Sequence, residues 1–240
     1  MVERLILLPG WGLDGVVLQA LAETLGGAVQ VHTPVLPRLA SGALSDWLDE
    51  LDVRLPTDCW LAGWSLGGML ATALAARRGE QCRGLISLAS NACFVARPDW
   101  PSAMSPVTFE AFYQSCEQQP DATRKRFAML CAQGAKDTRG LSRQLQAHPL
   151  AAEPAQLLAG LRLLAALDNR QALSTYTGPQ LHLLAEQDAL VPAAAADGLR
   201  GLLARGEVQV VQACSHALVV EQAHALAAAM LDFMHRAGHD

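Results

Sequence analysis

The chain lacks any uninterrupted apolar run near the ~18 residues of a membrane-crossing helix, so no membrane span or membrane partner is expected. It lacks a C-x-x-C pair. Its six cysteines stand apart at 59, 82, 93, 116, 131 and 214, several in apolar surroundings, which fits reduced core thiols rather than a zinc site or a disulfide framework. Charge is also scarce. Asp, Glu, Lys and Arg make up 17% of the residues with a net of -5, which is neither the basic profile of a nucleic-acid binder nor that of a disordered chain. The opening run Met1 to Pro9 has no cationic stretch before its few apolar residues, so no signal peptide and a cytoplasmic location are expected. No repeat or low-complexity tract is evident. What is present is 240 residues, 51% of them hydrophobic, enough for one domain of ordinary size with a substantial core.

Short apolar runs alternate with helix-like segments: Leu5–Leu8, Val29–Val31, Trp60–Ala62, Leu85–Ala89, Leu181–Leu184 and Val208–Val211. That rhythm implies an α/β fold, a predominantly parallel sheet of about six strands covered by helices on both faces. It breaks between about Arg97 and Asp168, where proline, charge and amphipathic patterns replace strand signals. The expected organisation is a core formed by residues 1–96 and 169–240, with a helical lid inserted at 97–168.

One joint stands out. "GWSLGG", Gly63 to Gly68, follows a strand-like run and precedes the helical Met69–Ala75, which is the context of a G-x-S-x-G elbow that exposes a serine hydroxyl between strand and helix. A serine hydroxyl is a poor nucleophile at neutral pH, so Ser65 needs a base and a group that orients it. In the chain order Ser, acid, His, the acid follows a late strand and the histidine the last one. Asp188 and His216 occupy those places. The rivals for the acid are Glu186 and, further back, Asp168. Among the histidines, His182 lies inside an apolar strand and reads as a core residue, His224, His235 and His239 belong to the C-terminal helix or tail, and His32 and His148 have no matching loop. The oxyanion donors expected are the backbone N–H groups of Leu66, next to the nucleophile, and of Trp11, in the loop "LLPGWG" after the first strand. No metal or organic cofactor is needed for such chemistry.

The stretches "LLPGWGLD", "GWSLGGMLA", "LASNACFVARPDWP", "EQDALVP" and "CSHAL" together resemble the pimeloyl-acyl-carrier-protein methyl ester carboxylesterases of biotin synthesis, within the α/β-hydrolases. The likeness runs over most of the chain. Trp64 and the segment Cys93 to Pro101 are its more particular marks. It departs from hydrolases of this kind at Pro9, where histidine usually precedes the oxyanion glycine. The chain also begins almost at the oxyanion strand, so a six-stranded all-parallel sheet is expected. The resemblance implies a serine carboxylesterase that hydrolyses the methyl ester of a pimeloyl group carried on acyl carrier protein, which would be its partner. It implies an acyl channel lined by Phe127, Ala128, Met129, Leu130 and Cys131, with Trp11, Trp64 and Leu66 also at the substrate. Cys131 stands where family members commonly have Gln. Packing inside the lid is an equal alternative for Ala128 and Met129.

Residues 121–143 carry Arg124, Lys125, Arg126, Lys136, Arg139 and Arg143 against Asp121 and Asp137, a basic patch on an acidic protein. It reads either as a solvated helix face or as a dock for an acidic partner. With the resemblance, Arg124, Arg126, Arg139 and Arg143 are the expected carrier-protein contacts. The protein is expected to act as a monomer, and a broad-specificity short-chain esterase that needs no carrier is the alternative function.

Overall fold

The computed structural model describes residues 3–149, 151–203 and 205–238 of the chain; Met1, Val2 and His239 lie outside the described residues. Among the described residues six strands form one sheet: β1 Arg4–Leu8, β2 Gln30–His32, β3 Cys59–Trp64, β4 Cys82–Leu88, β5 Gln180–Ala185 and β6 Glu207–Val211. Their spatial order is β2-β1-β3-β4-β5-β6, and every pairing is parallel. The expected parallel sheet of six strands is therefore present, with each strand over the apolar run that announced it.

The α-helices are α1 Gln19–Leu25, α2 Leu44–Arg54, α3 Leu66–Arg78, α4 Pro106–Gln118, α5 Pro120–Ala132, α6 Thr138–Gln146, α7 Pro154–Ala166, α8 Arg170–Thr175, α9 Ala195–Leu202, α10 Leu218–Glu221 and α11 Ala223–Ala237. α1 packs with α11, while α2, α3, α8 and α9 form a second chain of neighbours. Strands covered on both faces can be apolar throughout, and β3 and β5 are buried at every residue. The edge strands β2 and β6 are only partly buried and carry Gln30, His32, Glu207 and Gln209. α3 is rich in Ala and Gly, small enough to lie flat on the sheet, and is buried along almost its whole length. Each Leu fully buried in such a core contributes about 1.5–3 kcal/mol.

Between β4 and β5, α4 to α7 fill the stretch where strand signals vanish. Ser105 caps α4 through the Thr108 N–H, with Pro106 in its first turn. Asp137 caps α6 through the Gly140 N–H. Glu153 and Gln156 close a capping box on α7. α6 buries Leu141 and Leu145 and exposes Arg139 and Arg143. Among the described residues, no helix is long and apolar enough to cross a membrane.

The sheet order reverses between β1 and β3. In an open parallel sheet such a switch point leaves a crevice beyond the carboxyl ends of the strands. Residues 9–13, Ser65, Asp188 and His216 all follow carboxyl ends.

Candidate active site

Ser65 is the residue between β3 and α3, with φ 55° and ψ -121°, a conformation unfavourable for any L-residue. Holding it costs on the order of 1–3 kcal/mol, so the surroundings must over-determine it. They do. The Ser65 N–H donates to Leu88 O at 2.8 Å, and its carbonyl accepts from the N–H groups of Gly68 and Met69 and from Ser90 Oγ at 2.5 Å. A Cβ at Gly63 would fall on the backbone of Gly67, and one at Gly67 would fall on the carbonyl oxygens of Leu8 and Pro9. These glycines let strand, helix and the β1 loop converge, so the elbow and the Pro9–Leu13 loop lie against each other without histidine at position 9.

Asp188 follows β5 and its side chain is fully buried. One oxygen, Oδ1, accepts from the N–H groups of Leu190 (2.8 Å) and Val191 (2.9 Å); the other, Oδ2, meets His216 Nδ1 at 2.7 Å. A carboxylate without water is costly unless hydrogen-bonded, and these three bonds supply the compensation. His216 is likewise fully buried, and its Nε2 has no hydrogen-bond partner among the described residues. Trp64 Nε1 donates to the His216 carbonyl at 2.8 Å and its ring lies 5.5 Å from the imidazole, so the residue beside Ser65 also fixes the histidine. The structure thus joins Asp188 to His216 directly and His216 to the elbow through Trp64, while no hydrogen bond links Ser65 Oγ to His216 Nε2 among the described residues. With Nδ1 facing the carboxylate, Nε2 is the ring nitrogen left to accept a proton.

The rival groups serve elsewhere. Glu186 accepts the Ala213 N–H at 2.9 Å and so shapes the histidine loop. Asp168 pairs with Arg170, which holds its carboxyl well below the usual range. His182 lies in β5 with Nδ1 2.6 Å from Ser87 Oγ and, among the described residues, no partner for Nε2. Burial lowers its pKa to about 4. The unfolded chain then binds a proton that the folded chain refuses, so this stability is full above pH ~6.5 and falls as pH drops toward 4 by about 3 kcal/mol. Denaturation of His182→Gln and wild type at pH 7 and pH 4.5 is expected to show a shallower acid loss in the variant. Equal losses would contradict it.

The backbone N–H of Trp11 meets no backbone acceptor within the described residues, and Leu66, as the first residue of α3, has no residue four back in that helix to accept its N–H. The Trp11 indole donates to Leu157 O at 2.9 Å and meets Phe127 edge-on at 5.0 Å, tying the β1 loop to α7 and α5. An apolar cavity of about 20 Å3, little more than one water, lies among Trp11, Phe94, Met104, Phe112, Phe127, Leu161, Leu164 and Leu190. Phe127 and Trp11 therefore share an apolar lining, while Ala128 is buried, Leu130 half-buried and Met129 57% exposed. Cys131 sits behind the acid: its thiol feels the Asp188 charge and its carbonyl accepts the Ala217 N–H at 3.1 Å. Burial pushes that thiol far up, and pushes Cys59, Cys93, Cys116 and Cys214 up to about 11. None carries much thiolate at neutral pH.

Of the lid cations, Arg124 pairs with Asp121 at 2.5 Å, whereas Arg126, Arg139 and Arg143 are exposed and make no ion pair within the described residues. Leu190, Val191, Ser90 and Phe112 carry no signal in the sequence, and Glu186 offers itself there only as a rival acid. The segment "DALVP" contained the first two as backbone donors, but nothing in their letters marks that role.

Residues 5–229 match the family model described as "Alpha/beta hydrolase family". The chain is 43% identical over 235 residues to the "Biotin biosynthesis bifunctional protein BioHC" of Cellvibrio japonicus, covering 95% of this chain but only 47% of that longer protein. It is 36% identical over 225 residues to the "Pimeloyl-[acyl-carrier protein] methyl ester esterase" of Aeromonas hydrophila, covering 89% of this chain and 88% of the relative. In architecture it is similar to an esterase from Exiguobacterium antarcticum, with a TM-score of 0.86 at 16% identity over 97% of this chain and 91% of the other.

Proposed function

Because this chain belongs to the alpha/beta hydrolase family, we propose that its site is a serine esterase centre whose substrate is the methyl ester of a pimeloyl group carried on acyl carrier protein. The observation that carries the chemistry is the buried His216–Asp188 pair, its Nε2 without a partner among the described residues, linked through Trp64 to an elbow whose serine is held at φ 55°. The names of the relatives support the substrate.

Ser65 Oγ attacks the ester carbonyl and His216 Nε2 takes its proton. The N–H groups of Trp11 and Leu66 stabilise the oxyanion. The imidazolium, steadied by Asp188, then protonates the departing methoxide, and methanol leaves. Water attacks the acyl-serine with His216 again as base, and the product carries a free terminal carboxylate. The apolar walls at Trp11, Phe127 and Leu190 suit the methylene chain. Residues 97–168 act as the lid over a core made of 1–96 and 169–240, and the small cavity under it must widen to admit the acyl chain.

The exposed Arg126, Arg139 and Arg143, with Arg124 beside them, supply a cationic face for an acidic carrier. The test compares a carrier-bound methyl ester with a small soluble ester over a salt series. Reversing Arg139 and Arg143 to Glu is expected to lower kcat/KM for the carrier-bound ester about tenfold to a hundredfold, mostly through KM, and to leave the soluble ester unchanged. Equal turnover of both esters by wild type would favour a broad short-chain esterase instead.

A further inference from the structure

The histidine loop is held by a carboxylate that belongs to none of the three reacting groups. Glu221, at the end of α10, accepts two hydrogen bonds on the same oxygen, Oε1: one from the Ser215 N–H at 2.9 Å and one from Ser215 Oγ at 2.5 Å. Ser215 is fully buried and immediately precedes His216. Its hydroxyl oxygen also accepts the Ala217 N–H at 3.3 Å, and its carbonyl accepts the Leu218 N–H at 3.1 Å. The loop from 215 to 221 is thus closed on itself by Glu221. On the upstream side Ala213 has φ 54°, a left-handed conformation that non-glycine residues rarely adopt, and its N–H is taken by Glu186. The backbone around His216 is consequently clamped by one acid on each flank.

We infer that Glu221 is a positioning residue for ester hydrolysis: through Ser215 it fixes the backbone of His216, so that the imidazole reaches Asp188 and the serine together. This rests on His216 being the base. The physical reason is the scale of the task. The pair bond to Asp188 is 2.7 Å, and a shift of ~1 Å in a catalytic group can cost about a hundredfold in rate. Without Glu221 a buried N–H and a buried hydroxyl lose their acceptor, and the loop must move to find others. Trp64 and Cys131 hold the His216 carbonyl and the Ala217 N–H but make no bond to Ser215, so they cannot replace the clamp.

The experiment measures kcat and KM of the full-length protein on a small soluble ester for wild type, Glu221→Ala, Glu221→Gln and His216→Ala, with the downfield proton resonance of the His216–Asp188 hydrogen bond recorded for each folded variant. Glu221→Ala is expected to lose about 10- to 100-fold in kcat with KM within about twofold, and to broaden or shift that resonance. Glu221→Gln keeps an acceptor oxygen in place, so it should recover most of the rate and the resonance. A Glu221→Ala enzyme with wild-type kcat, or a Gln variant as impaired as the Ala variant, would overturn the inference while an inactive His216→Ala leaves the triad standing. An active His216→Ala would instead remove the esterase reading itself, and this inference with it. If Glu221→Ala does not fold, Ser215→Ala takes its place, and a wild-type kcat there overturns the clamp.

Discussion

Ser65→Ala is expected to lower kcat for ester hydrolysis by about 10^6 while leaving the fold intact. The elbow is held by backbone bonds to Leu88, Gly68 and Met69 and by Ser90, none of which uses the Ser65 hydroxyl. Removing Oγ therefore deletes the nucleophile without loosening the turn. Alanine also carries a Cβ, so the strained φ is neither relieved nor worsened, and thermal unfolding should change little. The residual rate comes from the oxyanion donors and from binding alone. Single-turnover kinetics and a serine-directed organophosphate check both halves: the variant should form no acyl-enzyme and take up no label. A folded Ser65→Ala protein turning over ester within about tenfold of wild type would eliminate the assignment.

Asp188→Asn is expected to cost about 10^4 in kcat, for a reason visible in the bonds to each oxygen. The Oδ1 position faces two donors, the N–H groups of Leu190 and Val191. An asparagine must keep its carbonyl oxygen there, since turning the amide would set NH2 against two N–H groups. Its NH2 then points at His216 Nδ1 and forces that nitrogen to accept. The ring proton moves to Nε2, which can no longer take a proton from Ser65. The variant should remain folded and bind substrate with little change in KM. Its kcat on a soluble ester is the measurement, and a loss under tenfold would show that the tautomer is not set by this carboxylate.

The sheet was legible because each strand is a short apolar run bounded by a loop, and strands buried on both faces need nothing else. Only their ends differ: β4 starts at Cys82 rather than Leu85, since pairing with β3 extends beyond the apolar run. The elbow was legible because strand, glycine and helix signals coincide there. Choosing between Glu186 and Asp188 depended on a rule of position, and the physical difference appears only in three dimensions: Asp188 turns inward to two N–H groups and the imidazole, whereas Glu186 reaches across to Ala213. The resemblance implies a lining along Phe127 to Cys131, with packing inside the lid an equal alternative for Ala128 and Met129. A helix rotates about 100° per residue, so five consecutive residues cannot face one way. Phe127, Ala128 and Cys131 turn inward and Met129 outward. Glu221 was not legible at all. Its role depends on α10 folding back on Ser215, and a Glu in a short helix gives no hint of that.

The helices α4 to α7 interrupt the chain between two strands that lie side by side, for Leu85 pairs with Gln180 although about ninety residues of chain separate them. The entropy of closing a loop grows only with the logarithm of its length, so doubling such an insertion would cost the sheet about 0.6 kcal/mol. Loop closure therefore sets little limit on the length of this segment; what binds it to the core are contacts such as those of Leu157 and Phe127 with Trp11 and of Cys131 with Ala217. The restriction falls on the order of assembly instead. During synthesis β5 emerges long after β4, so the edge of β4 must wait unpaired while the insertion, rich in local helical contacts, takes shape first. Variants that weaken those four helices should accordingly reduce the yield of folded protein more than they reduce its stability once folded.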